Sequence, residues 1–381
     1  MSSASNSPRG PLKLETLLKD VVLHIMGKMT PSDLVNFVLT NKRFLALFNR
    51  YKNGLMVSIL KELPESETMT LLYTTQLTEL HPAWTLRPRA VDVQTASQHF
   101  IKLMQPNGDY DQIYHMSPAG ILTLWKMTKV IDWWVQMFPT LYWRDSLANR
   151  RHLTPNEEWR LRKAIAHWWL YAHHHHGFSY AFRQKQIPKP YERDPRVSHM
   201  RRLSTCELME LRDLWAVVHN TVSNDICSSA EAVCFCQSPD GVAFVPWGHE
   251  QQRHASIVRT YMKLDPRRLR YYLLYYPNCN RNFVTGLIRQ QSRAFDSDIE
   301  TLSFAINRAL IEREHLREIV TGTFTPTPIF GILDDTRTGV DVSRWDVDQW
   351  LNANLHRVGP QVILTRRVPR GDDGSDRPIP W

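Results

Sequence analysis

The sequence predicts a mainly α-helical protein: a compact three-helix unit near the N-terminus, then a larger irregular helical domain with at most a small β-hairpin. Three observations predict this. Capped segments with apolar residues three and four apart recur along most of the chain. Strand-like patterns are confined to "AVCFC", "GVAFVPW" and "QVILT". The 13 tryptophans among 381 residues suit the wide cores that packed helices enclose.

The elements follow in order. Residues 1–11 are rich in Ser, Asn, Pro and Gly, a composition that predicts a disordered tail. In "LLKDVVLHIMGKM", Leu17, Val21, Met26 or Ile25, and Met29 make one apolar helix face. Thr30 can cap a second helix, Pro31 suits its first position, and Asp33 favours the positive end of its dipole. That helix runs through "SDLVNFVL". "TNK" then caps a third, "RFLALFNRY". This unit, residues 12–52, sits at the lower size limit for independent folding, so it must lean on the rest of the chain or on a partner.

A break is expected at 53–68, followed by a helical domain in two halves, 69–182 and 203–365, and a second disordered tail, 366–381. Ser117 with Pro118 opens one helix. Thr154, Pro155 and Glu157 form a capping box for another, and Ser204 with Glu207 repeats the device. Asp265-Pro266 opens a segment stopped by Pro277, and "SDIETLSFAINRALIEREHLREI" is a long periodic helix. "SRWDVDQWLNANL" is read as the last helix. The stretch 183–202 separates the two halves and carries seven basic and two acidic residues.

Lys and Arg number 47 against 38 Asp and Glu, a net charge of +9, which reads as a mixed-sign solvated surface with a modest basic excess. No run of eighteen apolar residues occurs, so no membrane-spanning helix is expected. The N-terminus lacks the apolar stretch of a secretory signal. Five cysteines do not make a disulfide framework, which points to the cytoplasm or nucleus.

Catalytic and metal chemistry find little support. No P-loop, nucleophile-elbow or dinucleotide-binding glycine pattern is present, so a non-catalytic protein without a cofactor is expected. His173, His174, His175 and His176 are consecutive. On a helix they point about 100° apart and cannot share one face. They read instead as the last turn of the helix capped by Thr154, where imidazoles suit the negative end. Cys234, Cys236, His249 and His254 echo a zinc finger, but one residue between the cysteines is too few, and the intervening segment lacks the finger's helix. They stand only as weak metal candidates, and buried thiols beside a small hairpin are the simpler expectation. "DPRRLRYYLLYY" has the basic and aromatic composition of a nucleic-acid surface. Tyr271, Leu274 and Tyr275 at helical spacing nonetheless predict a core face, with Arg267, Arg268 and Arg270 wet. Nucleic acid is therefore the secondary reading, through residues 183–202 and 267–270.

"LLKDVVLHIMGKMTPSDLVNFVLTNKRF" resembles an F-box. Leu17 stands at the opening Leu, Asp20 at the acidic place and Ile25 at the central Ile. Met29-Thr30-Pro31-Ser32-Asp33-Leu34 takes the Leu-x-Pro-x-Asp-Leu segment, and Asn41-Lys42-Arg43-Phe44 takes the close. Two positions depart: Leu18 replaces the family's proline, and Met29 replaces a leucine, a near-isosteric change. "LTNKRF" looks like F-box proteins of filamentous fungi. The resemblance covers about 40 of the 381 residues. It implies a substrate receptor that docks on the Skp-type adaptor of a cullin–RING ubiquitin ligase and presents a protein substrate through the remainder of the chain. The expected docking set is Leu17, Leu18, Val21, Ile25, Pro31, Leu34, Phe37 and Phe44, with some of these serving the unit's own core. Seven basic and three acidic residues between Lys13 and Lys52 would favour an acidic partner. The substrate's class is not written in the sequence, because no repeat of WD, leucine-rich or kelch period occurs.

Overall fold

Every helix start that the sequence marks with Ser, Thr, Asn or Asp from Thr30 to Ser204 is a helix start in the computed structural model. The structure describes residues 17–79, 116–176, 194–226, 255, 258–275, 300–321 and 331–333. Among them the protein is mainly helical and contains no strand. The three strand candidates, the last expected helix, both tails and the Cys234, Cys236, His249 and His254 set lie outside the described residues. No described helix is long and apolar enough to cross a membrane.

The chain folds as two compact units, and its path between them is interleaved. The first takes residues up to Gly177 and then Leu264–Gly286; the second takes Phe178–Lys263 and the remainder from Leu287.

In the first unit, α1 spans Lys19–Gly27, α2 Pro31–Leu39 and α3 Lys42–Glu62. Thr30 Oγ1 accepts from Asp33 N at 3.2 Å and Asn41 Oδ1 from Arg43 N at 2.8 Å, so two orphan amides are satisfied as their caps require. The break expected at 53–68 is largely helix. α3 continues through it to Glu62, and α4 follows over Ser66–Glu79 after a short turn. Leu55, Met56, Ile59 and Leu60 are all buried, and that burial outweighs the helix-weakening Gly54 just before them.

Helix α5 spans Pro118–Tyr142 and α6 Pro155–His175; a single 3-10 turn, Leu147–Asn149, lies between them. Helices α2, α3 and α4 all pack on α5, while α4 and α5 pack on α6. The N-terminal trio therefore leans on its own chain as well as carrying apolar residues outward. Gly120 admits α4 closely: a Cβ there would lie 2.6 Å from the Tyr73 hydroxyl. The core centres on Trp134 and Trp168, both buried, whose rings meet edge to face at 5.2 Å. Trp134 Nε1 donates to the Pro266 carbonyl at 3.0 Å. That bond ties α5 to the late-arriving helix of this unit.

The second unit holds α7, Pro195–Met200, so the basic stretch 183–202 is partly helical. Asp194 caps it and binds Arg196, which is 2% exposed, through two further bonds of 3.0 and 2.8 Å. Helix α8 spans Thr205–Thr221 under a complete Ser204–Glu207 capping box and runs into a π turn, Val222–Ile226. α9, Pro266–Tyr275, belongs to the first unit, and α10, Leu302–Thr321, returns to the second. α10 packs on α7 and α8. Glu312 of α10 holds Arg201 through bonds of 2.7 and 2.9 Å. The short segment at 331–333 is pinned to α8, where Ile332 N donates to Asp213 Oδ2 at 3.0 Å and the Ile332 side chain is fully buried.

The core face expected for α9 is not the one observed, although Arg267 and Arg268 are exposed as expected. Pro266, Leu269 and Tyr272 are the buried residues, whereas Tyr271, Leu274 and Tyr275 are 43%, 44% and 69% exposed. "LRYYLLYY" offers apolar residues on every side, so periodicity alone fits two faces. Packing on α5 and α6, which selects Leu269 and Tyr272, decides between them.

Candidate functional site

The Leu17–Phe44 segment is built from three helix starts and one aromatic stack. Leu18 occupies the cap position of α1 without any side-chain cap, since a leucine has no acceptor to offer. The Leu17 carbonyl instead accepts from Arg43 Nη2 at 2.8 Å, which fastens the entry of α1 to the start of α3. Phe37 of α2 stacks on Phe44 of α3 with ring centroids 4.6 Å apart and planes 11° from parallel. Lys28 and Glu62 meet at 2.5 Å, both exposed.

The eight expected docking residues separate by burial. Leu34 and Phe44 are interior, 0% and 3% exposed, and Pro31 is buried beside them. Leu17, Ile25 and Phe37 are half-buried. Leu18 and Val21 face outward, at 77% and 43% exposure. Three further apolar side chains of the same helices are exposed: Val35 and Leu39, one turn apart on α2, and Leu45 on α3. Sequence reasoning omitted these three because the motif fixes Leu34 and Phe37 and leaves their neighbours free. The signal that finds them is that Val35 and Leu39 sit four apart, off the buried Leu34–Val38 row.

Basic residues surround the trio. Lys19 Nζ donates to the Tyr51 hydroxyl at 2.8 Å and lies 4.9 Å from the ring centroid, with Arg50 5.6 Å from the same centroid. The Lys19 hydrogen bond draws the Tyr51 phenol below its ordinary pKa. Tyr51 also lines an open cavity of about 530 Å³ with Leu23, Arg50, Lys52 and Gly54. The arrangement presents apolar side chains amid positive charge.

The other sequence candidates are placed as follows. His173, His174 and His175 end α6 and His176 caps it; the His175 ring lies 4.5 Å from Tyr171, inside the core. Among the described residues, no three His, Cys, Asp or Glu side chains converge as metal ligands would. Arg196 is internal and Arg201 is engaged with Glu312, so these two members of the basic stretch 183–202 are spent on the fold.

One charged cluster was not legible in the sequence. Arg162 of α6 bridges Glu65, at the α3–α4 turn, at 2.8 Å and Asp132 of α5 at hydrogen-bond contact. The side chains of Glu65, Asp132 and Arg162 are 1%, 8% and 14% exposed. Burial pushes the Glu65 carboxyl above the usual carboxylate range, and the facing Arg162 opposes it. Compared with protein-family models, with curated proteins and with solved structures, the chain matches none.

Proposed function

We propose that the protein is an F-box substrate receptor, docking on a Skp-type adaptor of a cullin–RING ubiquitin ligase in the cytoplasm or nucleus and presenting a protein substrate for ubiquitination. The observation that carries this reading is the ordered set Leu17 to Phe44, with helix caps at Thr30 and Asn41 inside the two segments that match the motif. Exposed Leu18, Val21, Val35, Leu39 and Leu45 support it, because apolar side chains held outward on a small helical unit suit a partner's apolar groove. The basic surround fits an acidic adaptor. The ligase chemistry belongs to other subunits, so this chain needs no catalytic group of its own.

The test is co-expression of the full chain with a Skp-type adaptor, size exclusion and a binding isotherm. A one-to-one complex with a Kd on the order of nanomolar is expected, the range of a specific interface. Leu18→Asp and Leu39→Asp, at positions 77% and 70% exposed, should each weaken it without disturbing the fold. No complex at micromolar concentrations overturns the reading.

A further inference from the structure

We propose that the outer face of α9 is a docking surface for a short acidic peptide segment that carries an aromatic or aliphatic anchor. This deepens the receptor reading by naming a substrate class, and it rests on that reading for its biological role.

Five residues make the face. At about 100° per residue, Arg267, Arg268, Tyr271, Leu274 and Tyr275 fall within an arc of about 120°. Of the buried residues, Leu269 lies on the opposite side and Tyr272 borders the face next to Arg268. Arg267 and Arg268 are exposed, and the three apolar residues are 43%, 44% and 69% exposed. Charge and apolar surface are therefore segregated along the helix: guanidinium groups at its start, aromatic and aliphatic groups at its end. From Arg267 to Tyr275 the face runs about 12 Å, the reach of three or four extended residues.

Charge complementarity selects the occupant. Among the described residues, the acid that pairs with this face is Asp265, whose Oδ1 accepts from Arg268 N at 2.9 Å and whose carboxylate stands 3.5 Å from the Arg268 guanidinium. Arg267 adds a second cation, and Arg270, at the edge, lies 5.6 Å from the Trp133 ring centroid. The surplus is positive, so carboxylates are attracted to the start of the helix while an apolar side chain meets Leu274 and the tyrosines. An acidic peptide satisfies both halves.

A single-stranded nucleic acid fits less well. The Tyr271 and Tyr275 rings pack on each other, 5.0 Å apart and tilted by 42°, so no slot for a base lies between them. Leu274 offers a base no flat ring to stack on. Two exposed guanidinium groups are few for a polyphosphate chain.

Fluorescence anisotropy with the full-length protein tests the proposal. The probe is a labelled glutamate–tyrosine copolymer, compared with polyglutamate of the same length and with an oligothymidylate. The copolymer is expected to bind, and polyglutamate roughly tenfold more weakly for want of an anchor. Arg267→Glu with Arg268→Glu should lose roughly tenfold, and so should Tyr271→Ser with Tyr275→Ser. Those side chains are exposed, so the α9 core of Leu269 and Tyr272 is left in place. Copolymer binding unchanged in both double variants overturns the proposal. Tighter binding of oligothymidylate, lost in the same variants, also overturns it and gives the face to nucleic acid. Adaptor binding is measured in the same samples: failure of the unsubstituted protein to bind the copolymer, with its adaptor complex intact, counts against this surface alone. Absence of the adaptor complex counts against the receptor reading alone.

Discussion

Arg162→Met should be among the most damaging single changes to the first unit. The substitution keeps much of the side chain's apolar volume and deletes the charge that α3, α4, α5 and α6 share through Glu65 and Asp132. Removing one partner of a buried pair costs about 3–5 kcal/mol, because the remaining charge is stranded. Two carboxylates are stranded here, and the Asp132 side chain, 8% exposed, keeps slightly more access to water than Glu65 at 1%. We take about 4 kcal/mol. For a folding unit of this size, each kcal/mol lowers Tm by about 2–4 °C, so the expected fall is about 8–16 °C.

The pH dependence has a definite sign. Burial already holds the folded Glu65 carboxyl above its ordinary 4.5, so the folded state binds a proton more readily than the unfolded chain. Stability attributable to that group therefore falls as pH rises from the unfolded value through the folded one. Without Arg162 the folded value climbs further, and the deficit should shrink between pH 7 and pH 5. The assay is thermal denaturation followed by tryptophan fluorescence at both pH values. The companion is the triple variant Glu65→Gln, Asp132→Asn, Arg162→Met, which leaves no buried charge and should recover much of the loss. A fall under about 2 °C at pH 7 would refute the reasoning; so would an equal deficit at both pH values.

Three further outcomes are expected. Thr154→Ala removes the acceptor for Glu157 N and should cost about 1 kcal/mol in chemical denaturation, as should Ser204→Ala for α8; no change in either would mean the boxes are decorative. Burial acts to raise the Glu157 carboxyl, but its hydrogen bonds from Arg151 and from Thr154 outweigh this and hold it at about 2, against an ordinary 4.5. Its contribution is therefore present above pH 4.5 and lost as pH falls towards 2, and Glu157→Gln should flatten the acid limb of the stability profile. Gly120→Val drives a side chain into the Tyr73 ring and should cost about 1–3 kcal/mol by the same assay, with α4 the first element to lose hydrogen-exchange protection.

Helix existence was largely legible because caps are local: Thr30, Ser117, Thr154 and Ser204 each satisfy an amide three residues away, so the signal lies within one turn of chain. What escaped depends on partners distant in sequence. The continuation of α3 past Gly54 follows from burying Leu55, Met56, Ile59 and Leu60. Arg162 meets Glu65 at a separation of 97 residues and Asp132 at 30, and nothing in the periodicity of α6 marks it. The face of α9 was ambiguous for the same reason, since Leu269 and Leu274 are equal until a neighbour chooses. In the Leu17–Phe44 segment, the residues that carry the resemblance were legible, but Leu34 and Leu39 read alike there, and only packing sends one inward and the other out.

The bond from Trp134 to the Pro266 carbonyl has a consequence for synthesis on the ribosome. The first unit's helices through α6 are complete at His175, yet α9, which closes over Trp134, ends at Tyr275. At about 5–20 residues per second, the hundred residues between them take roughly 5–20 s to emerge. Throughout that interval the nascent first unit lacks its closing helix, and its tryptophan-lined side is a natural substrate for a chaperone. A fragment cut at the end of α6 would be trapped in that state permanently, so the two units of this protein cannot be separated by a single cut of the chain.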